Sequence, residues 1–192
     1  MDNRFRQQID FIIEIDKVKS IFRKTSLFDG SRQENDAEHA WHIAIMAAVF
    51  SEYANDKNID INKVIKMLLI HDLVEIDAGD IAVYDTKARE ENAKNEKEAA
   101  ERIFGLLPED QKNEMIELWN EFEEQNSPEA KFAAALDRLE PVLQNYMTNG
   151  QVWKKLNVPH EKVINVNRHV KEGSEKLWEY MQSIIDETFE KF

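Results

Sequence analysis

Residues 67–80 read MLLIHDLVEIDAGD, and this stretch decides how the rest of the chain is interpreted. Its apolar start predicts a helix over 61–75 that carries the adjacent pair His71 and Asp72. At about 100° per residue, Asp72 lies about 100° and Glu75 about 40° around that helix from His71, so the three side chains share one sector. A carboxylate near an apolar core is costly unless it is paired or bound to a metal. A cation in this sector could take the imidazole and one carboxylate and leave Glu75 for a water.

Apolar residues recur at three- and four-residue intervals along nearly the whole chain, and no alternating strand pattern, repeat or linker interrupts them. The spacing predicts helices over 5–22, 37–54, 61–75, 87–104, 109–124, 128–147, 161–169 and 174–189. We therefore expect a single all-α domain over residues 1–192, a bundle of about seven to eight helices in which the C-terminal helices of 160–190 pack on the rest. Asp36 is the expected N-cap of the second helix, and Pro141 predicts a kink or break in the sixth.

The charge balance limits the partners of the chain. Its 192 residues contain 25 Lys and Arg against 38 Asp and Glu, a formal net charge of −13. Nucleic-acid grooves and anionic membrane surfaces both attract clustered basic residues, so neither partner is expected. The absence of cysteine excludes disulfides, thiolate metal sites and cysteine nucleophiles. The charged N-terminus and the short apolar stretch 41–50 match neither a signal peptide nor a membrane span, which predicts a soluble cytoplasmic protein.

Two further segments carry residues that could bind a metal. Asp137 lies in KFAAALDRLEPVLQNY (131–146), an apolar setting for an acid, where pairing with a buried arginine is the alternative to metal binding. In QENDAEHAWH (33–42), His39 and His42 are three residues apart and share one face of the predicted helix. A histidine on an apolar helix is more often a hydrogen-bonded packing residue than a ligand, so position alone does not decide between these roles.

Taken together, these segments give the order His, His-Asp, Asp along the chain. This order resembles the HD superfamily of metal-dependent phosphohydrolases, and the resemblance is strongest over residues 17–146. Residues 32–39 (RQENDAEH) and 71–80 (HDLVEIDAGD) look like its 5′-deoxynucleotidase branch, which also implies a homodimer. The metal ligands that the resemblance implies are His39, His71, Asp72 and Asp137, with His42 as the spare candidate.

The implied ligand set indicates the kind of metal. Two imidazoles and two carboxylates suit one divalent transition metal ion per chain, such as Mn²⁺, Co²⁺, Fe²⁺, Ni²⁺ or Zn²⁺. Four protein ligands around an octahedral ion leave positions for a water and a phosphate oxygen. HD phosphodiesterases with two metals need extra histidines before the last Asp, and no His lies between Asp72 and Asp137. The sequence therefore favours a single-ion site.

The resemblance also implies roles for residues around the metal. Glu75 matches the acid beside the phosphate and the attacking water, and Asp80 matches the acid near the sugar, although Asp80 could equally be a cap or turn residue. Arg23 resembles the phosphate-binding arginine of the branch, and Arg32 is a second candidate; a solvated charge is the alternative for either. Lys24 follows Arg23 where the bacterial nucleotidase has a tryptophan that helps exclude ribonucleotides, which leaves the selectivity for deoxyribose open.

The implied activity is that of a nucleoside 5′-monophosphatase, which hydrolyses the phosphomonoester of a small nucleotide with a metal-activated water. Two alternatives fit the same fold: a nucleoside triphosphate or pyrophosphate hydrolase of the HD superfamily, and a non-catalytic metal-binding regulatory protein. The scarcity of Lys and Arg near the motifs argues against the first, because a longer phosphate chain needs more cations. Glu75 and Asp80 argue against the second, because a purely structural metal site needs neither.

Overall fold

Helices make up most of the chain, as the apolar spacing predicts. The computed structural model describes residues 2–192, apart from the side chains of residues 86 and 89. In chain order the α-helices are α1 (Asn3–Ile15), α2 (Asp36–Phe50), α3 (Ile61–Ile70), α4 (Glu75–Ala78), α5 (Thr86–Phe104), α6 (Glu109–Glu124), α7 (Pro128–Met147), α8 (Gln151–Lys155), α9 (His160–Asn167), α10 (Val170–Gly173) and α11 (Glu175–Glu190). Within the described residues, eight of these helices have eight or more residues, and the all-α fold class is confirmed. None of the helices in that part of the chain has the length and apolar character needed to cross a membrane.

Helix α7 is the central helix of the fold, and its small and apolar residues let other helices approach it closely. Phe132, Ala133 and Leu136 are fully buried, and α2, α3, α6, α10 and α11 all pack against α7. Burial of a side chain such as Phe132 stabilises the fold by about 1.5–3 kcal/mol. At Gly173 in α10, an added Cβ would lie 2.2 Å from the carbonyl oxygen of Lys131, so the close packing of α10 on α7 requires glycine.

Helix α7 continues without interruption through Pro141, so a break at this residue, one of the two outcomes expected there, does not occur. Proline in a helix interior costs about 3 kcal/mol, because it removes one backbone hydrogen bond and crowds the preceding turn. Leu139 and Val142 on either side are buried in the core, and burial of this size offsets that cost. The carbonyl of Pro141 itself accepts a hydrogen bond from Asn145 Nδ2 at 3.0 Å.

A short antiparallel hairpin lies between the first two long helices, where the sequence predicted no strand. Helix α1 stops at Ile15, a 3₁₀ segment covers Asp16–Ser20, and strands β1 (Phe22–Ser26) and β2 (Gln33–Asn35) pair before α2 begins. Strands of five and three residues are too short to show an alternating apolar pattern, which explains why the spacing did not reveal them. The hairpin carries Arg23 inward, against the start of α2.

The predicted third helix ends early, at Ile70. A 3₁₀ segment covers His71–Val74 and leads directly into α4. A 3₁₀ helix has three residues per turn, so the angles predicted from α-helical phase between His71 and its neighbours are wrong. The tighter winding nevertheless brings Asp72 and Glu75 to a common cleft.

Candidate metal centre and substrate cleft

The start of α2 positions the first predicted metal ligand, His39. A capping box fixes this helix end: Asn35 Oδ1 accepts from the Glu38 amide at 3.0 Å, and Glu38 Oε2 accepts from the Asn35 amide at 3.2 Å. The prediction that Asp36 is the N-cap is wrong. Asn35 is the cap, and Asp36 occupies the first helical position with its side chain buried. His39 follows one turn after the cap and is fully buried.

Three elements bring His39, His71, Asp72 and Asp137 together, and we call these four residues the metal cluster. His39 Nε2 lies 3.0 Å from Asp137 Oδ1, and His71 Nε2 lies 3.0 Å from Asp72 Oδ1. The longer separations are 3.6 Å between His71 Nε2 and Asp137 Oδ1, and 3.9 Å between His39 Nε2 and Asp72 Oδ2. Metal–ligand bonds of about 2.1 Å at right angles place ligand atoms about 3 Å apart. The separations in the cluster therefore suit one ion.

The donor atoms of the cluster also suit a divalent cation. His71 Nδ1 donates to the Leu68 carbonyl at 2.9 Å, so Nε2 faces the cluster and is the nitrogen that carries the lone pair when the imidazole is neutral, as a metal ligand must be. This Nε2 atom is buried and has no hydrogen-bond partner among the described residues. Burial opposes the charge of Asp72, but the nearby charges of His71 and Arg23 outweigh it and hold the pKa of Asp72 below its usual value. The pKa of Asp137 is likewise lowered, against the effect of burial, by its basic neighbours. Both acids are therefore ionised.

Arg23, the predicted phosphate-binding residue, lies directly beside the metal cluster. Strand β1 carries its side chain inward until only 13% of it is exposed. Nη1 donates to Asp72 Oδ2 at 2.6 Å and to Asp36 Oδ1 at 3.3 Å. Burial opposes the charge of Arg23, but Asp72 and Asp137 outweigh it and raise its pKa. The guanidinium is therefore a fixed cation that a phosphate oxygen can approach.

Glu75 and Asp80 line the same cleft as His71, Asp72 and Asp137 of the cluster. One oxygen from each of Asp36, Asp72 and Glu75 lies within 4.8 Å of the other two. Burial, followed by the charges of Asp72 and Asp36, raises the pKa of Glu75 well above its usual value. Burial also raises the pKa of Asp80, whose Oδ2 lies 3.7 Å from Lys24 Nζ. Glu75 Oε2 and Asp80 Oδ2 are buried without a hydrogen-bond partner among the described residues, so each can accept from a ligand.

The cleft over the cluster has a volume of about 1080 Å³, including solvent at its mouth. Besides its charged residues, the cleft is lined by apolar, aromatic and amide side chains, among them Val83, Tyr84, Asn145, Val152, Leu156 and Asn167. A wall of this kind suits a flat ring with a few polar atoms.

Two of the candidate residues do not face the cluster. Arg32 forms a bidentate ion pair with Glu38, at 2.8 and 2.6 Å, on the surface of the molecule. Within the part of the chain that the structure describes, Arg32 does not line the cleft, so its placement favours the solvated alternative. His42, the spare ligand, has its Nδ1 3.4 Å from Glu140 Oε1. It therefore faces the far side of the cluster.

Sequence reasoning missed two residues of this region. Arg138 lines the cleft and donates to Asp137 Oδ2 at 2.8 Å, so Asp137 both joins the cluster and pairs with an arginine. Glu140 is fully buried, with its Oε2 3.2 Å from His39 Nδ1. A signal for Glu140 was present, because an acid three residues after Asp137 in an apolar stretch shares its helical face. No sequence signal distinguished Arg138 from a surface arginine.

A helical bundle that gathers His, His-Asp and Asp at the base of one cleft defines the class of HD-domain proteins. The chain belongs to the HD domain family, whose model matches residues 15–178.

Named relatives fall within the same class. Human 5′-deoxynucleotidase HDDC2 is 35% identical over 140 residues, which cover 72% of this chain and 67% of that protein. The bovine protein of the same name is 34% identical over 140 residues, 72% of this chain and 66% of that protein. The chain thus spans about two thirds of the length of these curated relatives. The crystal structure of a predicted metal-dependent phosphohydrolase from Magnetospirillum magnetotacticum MS-1 superposes with a TM-score of 0.93 at 46% identity, covering 98% of this chain and 97% of that one.

Proposed function

We propose that this protein is a metal-dependent phosphohydrolase that acts as a nucleoside 5′-monophosphatase. The observation that carries the proposal is that His71, Asp72 and Asp137 of the metal cluster line one cleft together with Arg23, Glu75 and Asp80. His39, the fourth residue of the cluster, lies 3.0 Å from Asp137. These residues provide a cation for phosphate, a buried acid for proton transfer and a buried acceptor for a sugar hydroxyl. The similarity to human 5′-deoxynucleotidase HDDC2 supports the same class of reaction.

The metal cluster is proposed to hold one divalent transition metal ion, with Mn²⁺, Co²⁺, Fe²⁺, Ni²⁺ and Zn²⁺ as the candidates. Two imidazole nitrogens and two carboxylates form a mixed donor set that these ions accept. When bound, such an ion polarises a phosphate oxygen and lowers the pKa of water. An ion held by these four residues would also supply the attraction that a phosphate needs in a protein of net charge −13.

The residues around the cluster bind the substrate and move the proton. Arg23 donates to the phosphate oxygens from its fixed position beside Asp72. Glu75 takes the proton that water loses as its oxygen bonds to phosphorus and the bond from phosphorus to the 5′ oxygen breaks. Its raised pKa lets Glu75 hold that proton and deliver it to the departing 5′ oxygen. Asp80 Oδ2 accepts from the 3′-hydroxyl and so orients the sugar.

The charges of the cleft favour one phosphate over three. Among the described residues, the Lys and Arg side chains that line it are Arg23, Lys24 and Arg138. Each has a carboxylate oxygen within 3.7 Å, so little uncompensated positive charge is available to a triphosphate. A monophosphate needs only the ion and Arg23.

Lys24 bears on the choice between deoxyribose and ribose. Its ammonium lies 3.7 Å from Asp80, the proposed acceptor for the sugar. A flexible lysine at this position excludes a 2′-hydroxyl less strictly than a tryptophan ring does. We therefore expect ribonucleotides to be hydrolysed alongside deoxyribonucleotides.

The test is a panel of deoxy- and ribonucleoside monophosphates assayed for inorganic phosphate. Protein stripped with a chelator should be inactive and should regain phosphate release with Mn²⁺ or Co²⁺. The matched triphosphates serve as the control and should give little product. Release of pyrophosphate or triphosphate would instead establish the alternative hydrolase, and metal binding without hydrolysis of any substrate would establish a regulatory protein.

We further propose that the protein is a cytoplasmic homodimer. Support for a second copy comes from α2, which exposes an apolar stripe of Trp41, Ile45 and Val49. The net charge of −13 disfavours an anionic membrane as the surface that covers this stripe. The cytoplasmic location rests on the sequence alone.

A further inference from the structure

A buried carboxylate behind the metal cluster has no role in the reaction proposed above. Glu140 lies on α7, three residues after Asp137 and therefore on the same helical face, and its side chain is fully buried. An acid in such surroundings is costly unless its partners compensate it. The side chains that contact Glu140 therefore indicate the role of its carboxylate.

Two imidazoles flank the Glu140 carboxylate. Its Oε2 lies 3.2 Å from His39 Nδ1, and its Oε1 lies 3.4 Å from His42 Nδ1. Gln144, one helical turn further along α7, donates through Nε2 to Oε1. The carboxylate is thus held on three sides, which fixes one of its oxygens at His39.

The geometry of His39 links this carboxylate to the metal cluster. His39 Nε2 faces the cluster, 3.0 Å from Asp137 Oδ1. An imidazole binds a metal through an unprotonated nitrogen, so ligation through Nε2 requires the ring proton on Nδ1. We infer that Glu140 is a positioning residue that holds His39 as the Nδ1–H tautomer, with Nε2 directed at the ion. This inference rests on the proposed metal site.

A second acid lies near the same nitrogen and provides a matched control. Glu34 Oε2 is 3.8 Å from His39 Nδ1, which is beyond hydrogen-bond distance. This oxygen is buried and has no hydrogen-bond partner among the described residues. Glu34→Gln therefore changes a buried acid of similar depth and leaves the bond between His39 and Glu140 in place.

The first experiment measures the affinity for Mn²⁺ in chelator-stripped protein, by the electron paramagnetic resonance of the free ion. Glu140→Gln should raise the Kd for Mn²⁺ by about 10- to 100-fold, because its amide group can donate to Nδ1 and stabilise the wrong tautomer. Glu140→Asp keeps the charge at a shorter reach and should recover part of the affinity. Glu34→Gln should stay close to wild type.

The outcomes separate this inference from the metal site on which it rests. An unchanged Kd in Glu140→Gln beside a wild-type protein that binds Mn²⁺ would overturn the role of Glu140 alone. A wild-type protein that binds neither Mn²⁺ nor any of the other four candidate ions would overturn the proposed metal site.

The second experiment needs no substitution at Glu140 and therefore does not depend on the variant folding. Nitrogen-15 NMR of the Zn²⁺-loaded wild-type protein reports which ring nitrogen of each histidine carries the proton, and His39→Asn assigns the signals of His39. We expect a proton on Nδ1 and a metal-shifted Nε2. A proton on Nε2 of His39 would contradict the inference.

Discussion

Asp72 connects the metal cluster to the proposed phosphate cation through its two oxygens. Oδ1 lies 3.0 Å from His71 Nε2, within the metal cluster, and Oδ2 accepts from Arg23 at 2.6 Å. A substitution at Asp72 therefore disturbs metal binding and the position of Arg23 together. Among the described residues, Glu75 forms no ion pair with His71 or Arg23, so its substitution should affect proton transfer more than metal binding.

This difference predicts that two variants separate metal binding from turnover. Asp72→Asn should lose both the bound Mn²⁺ and phosphate release, because an amide is a weaker ligand and no longer fixes the Arg23 guanidinium. Glu75→Gln should retain Mn²⁺ at the wild-type ratio while kcat falls by about 10²- to 10⁴-fold, the usual contribution of a positioned acid or base. Metal analysis and a phosphate assay on the same samples provide the two readouts. Full activity in Glu75→Gln would show that another group moves the proton.

At the scale of elements, the N-terminus of α2 shows how local sequence places a ligand. Asn35 and Glu38 exchange side-chain and backbone hydrogen bonds across the first turn, and His39 is the next residue. The cap fixes the direction in which α2 enters the bundle, and with it the position of the His39 imidazole. The stability of this end of the helix should therefore depend on Asn35.

Asn35→Ala is expected to lower the free energy of unfolding by about 1 kcal/mol, the usual cost of a lost N-cap. Urea unfolding in the presence of a chelator measures this effect without any contribution from bound metal. Asn120→Ala, at an exposed position inside α6, is the matched control and should be neutral or stabilising by up to about 0.7 kcal/mol, since alanine favours helix interiors. Equal stability in Asn35→Ala and wild type would show that tertiary packing alone fixes the end of α2.

The elements also show how far the sequence predicts this molecule. The apolar period predicted the long helices, because burial of one face imposes a pattern that survives in the sequence. The change from α to 3₁₀ winding at His71 could not be predicted from the sequence, since α and 3₁₀ turns accept the same residues. The contact between Glu140 and His39 joins α7 to α2, and sequence spacing within either helix cannot reveal it. Arg23 was found by resemblance, yet its bond to Asp72 depends on a hairpin too short to predict.

At the scale of the whole molecule, α2 is apolar on both of its faces. Ile43 and Ala47 are fully buried against the core, while Trp41 and Val49 on the other face are 63% and 59% exposed. A helix that is hydrophobic all round is normally buried on all sides. Trp41, Ile45 and Val49 are four residues apart and form one stripe, and tryptophan frequently dominates protein–protein interfaces. The partner that we propose for this surface is a second copy of the chain, with its own stripe.

This arrangement predicts a dimer whose stability increases with salt. Two chains of net charge −13 repel each other, so screening of that repulsion should tighten a contact made by apolar side chains. Light scattering after size exclusion should give twice the chain mass of 22.5 kDa for wild type and the single mass for Trp41→Glu. Tyr180→Glu, at a half-exposed aromatic residue on α11, is the matched control and should stay dimeric. If Trp41→Glu remains dimeric, the interface lies on a different face of the molecule. If the wild-type protein is monomeric at every salt concentration, the homodimer is excluded.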